Sequence, residues 1–189
     1  QPERKEEEIM KSYASNPGML KFSKKKFKEV ALLLDPTKAK FFLKKKSWIK
    51  KQIATGDIQP AMVISIDPLV ISCYSDELDA VILLEFPKEL AVKYQFKLNE
   101  RLVTCNWYMA KNMFAYSDDL IIGPNCSGNW RDVYPLLGLF VCKDENAYYE
   151  NTNLFKDEDY EYLMKLTTSY LEKKPNSYRD GFFFLYNDL

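Results

Sequence analysis

The chain has 189 residues, no histidine and four cysteines, and its 27 basic side chains balance 27 acidic ones. The absence of histidine excludes Ser-His-Asp and Cys-His catalysis and histidine-ligated metals from this chain. With 47% apolar and 29% charged residues, the composition predicts a single globular domain.

The balanced charge hides a strong segregation along the chain. Residues 21–54 contain twelve lysines against Glu29 and Asp35, which gives this segment a formal charge of +10. Residues 55–189 carry 12 basic and 21 acidic side chains, a formal charge of −9. The sequence therefore predicts a molecule with a basic part and an acidic part, and basic surfaces attract anionic partners.

The four cysteines indicate a reducing compartment. Cys73, Cys105, Cys126 and Cys142 form no CxxC pair, and all but Cys126 lie in apolar runs where a thiol packs as a small hydrophobe. We therefore expect reduced thiols, no structural zinc, no cofactor and a cytoplasmic protein. No apolar run is long enough to span a membrane. The first residues show no signal peptide, although the chain starts at Gln1 and an upstream segment stays an alternative.

Helices are predicted for the first third of the chain. A short helix is expected over residues 3–14. Ser23 is a typical N-cap for a second helix, whose apolar residues recur at i, i+3, i+4 and i+7. Asp35-Pro36 ends that helix and begins a third, which is expected to reach Ala54.

The middle of the chain predicts an antiparallel sheet. Val- and Ile-rich runs at 61–66, 69–74 and 80–86 are of strand length, and the turns between them are short enough for hairpins. The remaining expectations, in chain order, are a helix over 88–94, a strand over 101–108, a loop over 109–119, a loop over 123–132, a strand over 134–142, a helix over 144–172 broken near Thr152-Asn153, and a final strand over 181–186.

These elements predict one α+β domain spanning residues 1–189. It consists of a helical lysine-rich part (1–56), a mainly β part (57–142) and a helical part with a final strand (143–189). We expect a mostly antiparallel sheet of five or six strands, or a partly open barrel, covered by N-terminal helices and a C-terminal helix.

The lysine-rich segment is the first candidate site. Lysine without arginine suits sequence-independent contacts with phosphates, and a neighbouring aromatic ring could stack on a base. The alternatives are a solvated helix face, a basic face docked on the acidic part of the same chain, or a membrane-surface helix. The candidate nucleic-acid contacts are Lys24, Lys25, Lys26, Lys44, Lys45, Lys46, Trp48, Lys50 and Lys51.

An acidic turn is the second candidate. Asp76, Glu77 and Asp79 lie between two predicted strands, and carboxylate oxygens are the ligands that Mg²⁺ prefers. Asp67 lies in the preceding turn, which a hairpin arrangement places at the opposite end of the sheet. Glu85 and Lys88 do not have the spacing of a metal-dependent nuclease motif. The alternative for the acidic turn is a polar connection without ligands.

The loop over residues 123–132 is the third candidate. An aromatic ring and an arginine together on a loop are typical of interaction hot spots. The alternative is a structural loop whose Trp130 packs inward. The candidate contacts for a protein partner are Asn125, Asn129, Trp130, Arg131 and Asp132.

No catalytic constellation emerges from these patterns. We therefore expect a small soluble, non-catalytic interaction module, adaptor-like or resembling bacterial immunity proteins only in its general class, with another protein as its partner. A nucleic-acid-binding protein that uses residues 21–54 is the alternative. A metal-dependent enzyme that uses the acidic turn is the second alternative. The oligomeric state stays open.

Overall fold

A mixed, strongly curled sheet forms the centre of the fold in a computed structural model, which describes residues 10–11, 14–110 and 115–186. Its strands are β1 (Met10–Lys11), β2 (Asp57–Ile66), β3 (Leu69–Ser75), β4 (Ala80–Phe86), β5 (Arg101–Ala110), β6 (Trp130–Leu136) and β7 (Arg179–Asp180). The order is β6-β5-β2-β3-β4-β7, and β1 pairs with the end of β5 on its β2 side. All pairs are antiparallel except β4 with β7. The predicted α+β fold with a mostly antiparallel sheet is confirmed.

Helices surround this sheet. They are α1 (Lys24–Leu34), α2 (Ala39–Phe42), α3 (Lys46–Thr55), α4 (Lys88–Tyr94), α5 (Glu145–Glu150), α6 (Asp157–Lys173) and α7 (Phe183–Tyr186). Short 3-10 turns lie at Leu43–Lys45, Gly138–Phe140 and Asn151–Leu154. Ser23 caps α1 as predicted, because its hydroxyl accepts a hydrogen bond from the Lys26 backbone N–H at 3.3 Å.

The two predicted hairpins place their turns at opposite ends of the sheet. Ile66 pairs with Leu69 around the first turn, and Ser75 pairs with Ala80 around the second. Side chains alternate between two hydrophobic clusters along these strands. Met62, Val70, Val81 and Leu83 pack with Tyr160, Leu163 and Tyr170 of α6, whereas the residues between them join the main core with α1 and α3.

Tyr148 forms hydrogen bonds with the backbone of β5 at a position that β6 does not reach. Strand β6 pairs with β5 only from Cys105 onward. The hydroxyl of the fully buried Tyr148 accepts a hydrogen bond from the Val103 N–H at 3.1 Å and donates one to the Val103 carbonyl at 2.6 Å. A single side chain thus satisfies a donor and an acceptor that a strand would otherwise pair.

Arg179 in β7 binds to β6 and to the segment that precedes β6. Its guanidinium donates to both carboxylate oxygens of Asp119 at 2.8 Å, to Asp132 at 3.1 Å and to the Val133 carbonyl at 2.8 Å. Only 11% of the Arg179 side chain is exposed. Such a buried, multiply bonded guanidinium fixes the C-terminal segment on the sheet.

Three sequence-based boundaries are wrong at the ends of the sheet. Strand β6 covers 130–136 rather than 134–142, because Leu139 and Phe140 are buried by tertiary packing of a 3-10 turn instead of by strand pairing. Residues 183–186 form α7 rather than a strand, after Asp180 accepts a hydrogen bond from the Phe182 N–H at 2.8 Å. Met10–Lys11 form a strand instead of part of a helix, and most of the predicted helix over 3–14 lies outside the described residues.

The other differences are smaller. The third predicted helix is interrupted by the 3-10 turn at 43–45, and the C-terminal helix is broken at 151–156, close to the predicted break. In the parts of the chain that the structure describes, no helix has both the length and the apolar character needed to cross a bilayer.

Candidate nucleic-acid interface

The lysine-rich segment faces solvent for the most part. Lys24, Lys25, Lys44, Lys46, Lys50 and Lys51 are exposed. Lys26 is partly buried and forms an ion pair with Glu145 at 2.5 Å, and Lys45 lies 5.9 Å from the centre of the Trp48 ring. The alternative of a basic face docked on the acidic part of the chain therefore applies to Lys26, which bonds to Glu145.

Backbone hydrogen bonds pin the chain that precedes α1 between two other segments. Met19 N–H donates to the Ala54 carbonyl of α3 at 3.0 Å, and Leu20 N–H donates to the Ile53 carbonyl at 3.1 Å. On the other side, Lys143 N–H donates to the Lys21 carbonyl at 2.7 Å. This arrangement brings three distant parts of the sequence around one surface depression.

Five lysines line this depression, which we call the basic groove. On α3, Lys46, Lys50 and Ala54 recur at intervals of four residues and so share one side of the helix. The groove has a volume of about 600 Å³, and no carboxylate of the described residues lines it. Its lining consists of Met19, Leu20, Lys21, Phe22, Lys24, Lys46, Lys50, Ala54 and Lys143. Clustered ammonium groups produce a positive potential that attracts anions.

The structure divides the predicted nucleic-acid contacts into two groups. Lys24, Lys46 and Lys50 meet in the basic groove, whereas Lys25, Lys26, Lys44, Lys45 and Lys51 lie outside its lining. Trp48 also lies outside the groove and packs edge-on against Trp107, with ring centres 6.1 Å apart. The half-buried Trp48 ring lies beside Lys45 and not in the basic groove, and its role as a stacking surface stays a prediction.

Sequence reasoning missed two of the five groove lysines as contacts. Lys21 belongs to the basic run and could have been included on charge alone. Lys143 is isolated in the sequence, and only the backbone hydrogen bond to Lys21 and the adjacent bridge between Phe22 and Cys142 place it in the groove. Nothing in the local sequence around Lys143 predicts this.

The acidic turn does not form the proposed metal site. Asp79 is buried, and its carboxylate accepts hydrogen bonds from the hydroxyls of Tyr162 at 2.8 Å and Tyr74 at 3.2 Å and from the Asn125 N–H at 3.0 Å. In the described ranges, no three or more acidic or cysteine side chains come together as ligands for a metal ion. Through these contacts, Asp79 attaches the loop around Asn125 and helix α6 to the β3–β4 hairpin.

Asp76 points instead toward a buried polar cluster. The hydroxyl of Tyr108 lies 3.2 Å from the Asp76 carboxylate and 3.3 Å from that of Asp57, which is fully buried. Asp57 also accepts hydrogen bonds from the Asn16 N–H at 3.0 Å and the Gln59 amide at 2.7 Å. Loss of solvent around its carboxylate, followed by the negative charge of Asp57, raises the pKa of Asp76.

We expect Asp76→Asn to stabilise the protein at neutral pH. A raised folded-state pKa means that ionised Asp76 destabilises the native state as pH rises above the ordinary aspartate value. Asparagine removes that charge and keeps an acceptor for the Glu77 N–H, which lies 2.7 Å from Asp76. More than a third of the Asp76 residue is exposed, so solvent screens its charge, and the expected rise in Tm at pH 7 is small, about 1–2 °C.

Thermal unfolding followed by circular dichroism between pH 3 and pH 8 checks this expectation. The difference between variant and wild type should vanish at low pH, where both side chains are neutral. The matched control is Asp67→Asn in the other hairpin turn, which should leave Tm unchanged. A pH-independent gain, or a loss at pH 7, would contradict the assigned role of Asp76.

The predicted interaction loop is partly a strand. Trp130 and Asp132 lie in β6 with only 8% and 6% of their surfaces exposed. The Trp130 ring packs on Tyr108 with centres 5.4 Å apart, and Asp132 accepts hydrogen bonds from Ser117 and Arg179. Both residues are therefore part of the interior and not contacts for a partner, since strand pairing draws them into the core.

The remaining candidate residues of that loop reach the surface to different degrees. Asn125 and Asn129 are exposed, and Arg131 is half-buried with its guanidinium directed at the Met109 sulfur, 2.9 Å from Nε. Because Trp130 is buried, the hot-spot hypothesis lacks the exposed aromatic side chain on which it depended. No side chain in this loop replaces it.

The cysteines offer no reactive thiol in the core. All four are free, and Cys73, Cys105 and Cys142 are buried. Burial raises the pKa of each of these three thiols, which keeps them protonated near neutral pH.

Comparison with known proteins gives no relative from which a role could be transferred. No family model matches this chain, and no curated protein and no solved structure is significantly similar to it.

Proposed function

We propose that this protein is a non-catalytic binding module whose ligand is nucleic acid, held by its phosphates in the basic groove. One observation carries the proposal: five lysines from three separate parts of the chain line a single depression, to which the described part of the chain contributes no carboxylate.

The composition of the groove favours sequence-independent binding. Lysine is a point charge on a flexible stem and contacts phosphates, whereas arginine makes the bidentate contacts that distinguish bases. Among the described residues that line the groove, five are lysines and none is an arginine. Ligands recognised in this way bind with an affinity set by the number of phosphates neutralised and not by their sequence.

A single strand fits the lining better than a duplex. Besides the lysines, the groove contains Met19, which is 77% exposed, and the half-buried ring of Phe22. Flexible single strands can turn their bases toward such apolar and aromatic groups while the phosphates contact ammonium groups. We therefore expect the protein to prefer single-stranded over double-stranded oligonucleotides.

Fluorescence anisotropy with labelled oligonucleotides at several salt concentrations tests the proposal. If all five lysines contact phosphates of a single strand, the logarithm of the affinity should fall with the logarithm of salt with a slope of about −3.5, or roughly 100-fold between 50 and 200 mM. Oligonucleotides of the same length and different sequence should bind equally.

Two results would contradict the proposal. One is the absence of binding at 50 mM salt, which would leave the groove a solvated surface. The other is strong binding without salt dependence, because contacts with phosphates release counterions and must weaken as salt rises.

A further inference from the structure

A second surface, on the β2–β3 turn and α4, combines exposed apolar side chains with negative charge. Two adjoining depressions share Asp67 and Lys88 and have volumes of about 610 and 660 Å³. One extends to the end of α1 and the segment after α6, and the other runs along α4. We call the two together the acidic groove.

Large apolar side chains lie open in this groove. Leu33, Ile66, Val92 and Tyr178 line it with 39%, 43%, 78% and 37% of their surfaces exposed. Phe86 lines one of the two depressions and Phe96 the other, and both residues are largely buried. Contiguous exposed apolar residues with polar groups around them are typical of sites that bind a protein segment.

The charges around the apolar residues are mostly negative. The lining contains four carboxylates and one lysine, which are Asp67, Glu85, Glu89, Asp180 and Lys88. Within the described part of the chain, none of these five side chains takes part in an ion pair. Their field therefore acts on whatever occupies the groove, and it repels phosphate-bearing ligands.

We propose that the acidic groove docks a basic amphipathic segment of a partner protein. Apolar side chains of that segment would cover Ile66 and Val92, and its lysines or arginines would face the carboxylates. Charge complementarity selects this occupant, since an acidic segment or an anionic membrane would meet four carboxylates. The proposal concerns a different surface from the basic groove and does not depend on nucleic-acid binding.

Selection from a random twelve-residue peptide display library against the whole chain tests this proposal. We expect the enriched peptides to carry a net positive charge and at least two large apolar residues. An enriched peptide, made synthetically, should bind at least tenfold more weakly to Ile66→Ser/Val92→Ser and to Glu85→Lys/Glu89→Lys. The matched control Leu32→Ser/Leu154→Ser changes two exposed leucines that do not line the groove and should bind the peptide like the wild type.

The outcomes separate the proposal from its alternatives. Enrichment of acidic or uncharged peptides, or of none, overturns it. Equal binding by the groove variants, with folding verified by circular dichroism, also overturns it. Sedimentation that shows a dimer dispersed by Ile66→Ser/Val92→Ser would mean that a second copy of this chain covers the groove, which overturns the proposed partner as well.

Discussion

Charge reversal at Lys46 and Lys50 is expected to weaken single-stranded oligonucleotide binding by at least tenfold at 100 mM salt. Both side chains line the basic groove from one side of α3. Glutamate at these positions removes two phosphate contacts and repels the remaining phosphates. The magnitude of the salt slope should fall by about 1.4, since each phosphate contact of a single strand contributes about 0.7.

Lys165→Glu/Lys173→Glu is the matched control for this variant. Both control residues are exposed on α6, which contributes nothing to the groove lining, and the change in net charge is the same. We expect the control to retain at least half of the wild-type affinity and the wild-type slope. Equal losses in the two variants would mean that overall charge, and not the basic groove, determines binding.

Arg179→Ala is expected to lower the free energy of unfolding by about 3–5 kcal/mol, the usual cost of removing one member of a buried charge pair. The substitution leaves the buried Asp132 carboxylate and the Val133 carbonyl without this donor. It also removes the bidentate contact with Asp119. In a domain of this length, the loss corresponds to a decrease in Tm of roughly 10 °C.

Urea unfolding followed by tryptophan fluorescence measures this loss. The comparison is Arg101→Ala, whose pair with Asp157 at 2.6 Å is open to solvent, with 48% and 75% of the two side chains exposed. An exposed pair of this kind is worth about 1 kcal/mol at most. Similar losses for the two variants would contradict the role assigned to Arg179. Adding Asp132→Asn to Arg179→Ala should recover part of the stability, because the unpaired carboxylate is removed.

The hairpins and α4 could be predicted closely from the sequence. Apolar runs of strand length, short turns and Pro87 before the helix are local signals, and α4 covers Lys88–Tyr94 as expected. The errors occur where burial comes from distant contacts. Phe140 is buried between other aromatic rings without strand pairing, so its apolar run resembled a strand.

The sites were less predictable than the fold. The lysine run was visible in the sequence. Which of its lysines line the groove depends on the side of the helix that each one occupies. The groove also needs Lys143, which a tertiary hydrogen bond brings to Lys21. Trp130 looked like a loop anchor because Gly, Pro and Asn precede it. Pairing of Trp130 with Ala110 in β5 instead places the ring in the core. Composition near a turn does not reveal which way a side chain faces.

The basic groove can be tested most directly by acetylating the lysines with and without a single-stranded oligonucleotide at low salt and reading each site by mass spectrometry. The account predicts several-fold protection of the five groove lysines, Lys21, Lys24, Lys46, Lys50 and Lys143, and no protection of Lys40 or Lys165, which are exposed elsewhere. Uniform protection of all lysines, or protection confined to lysines outside the groove, would contradict it.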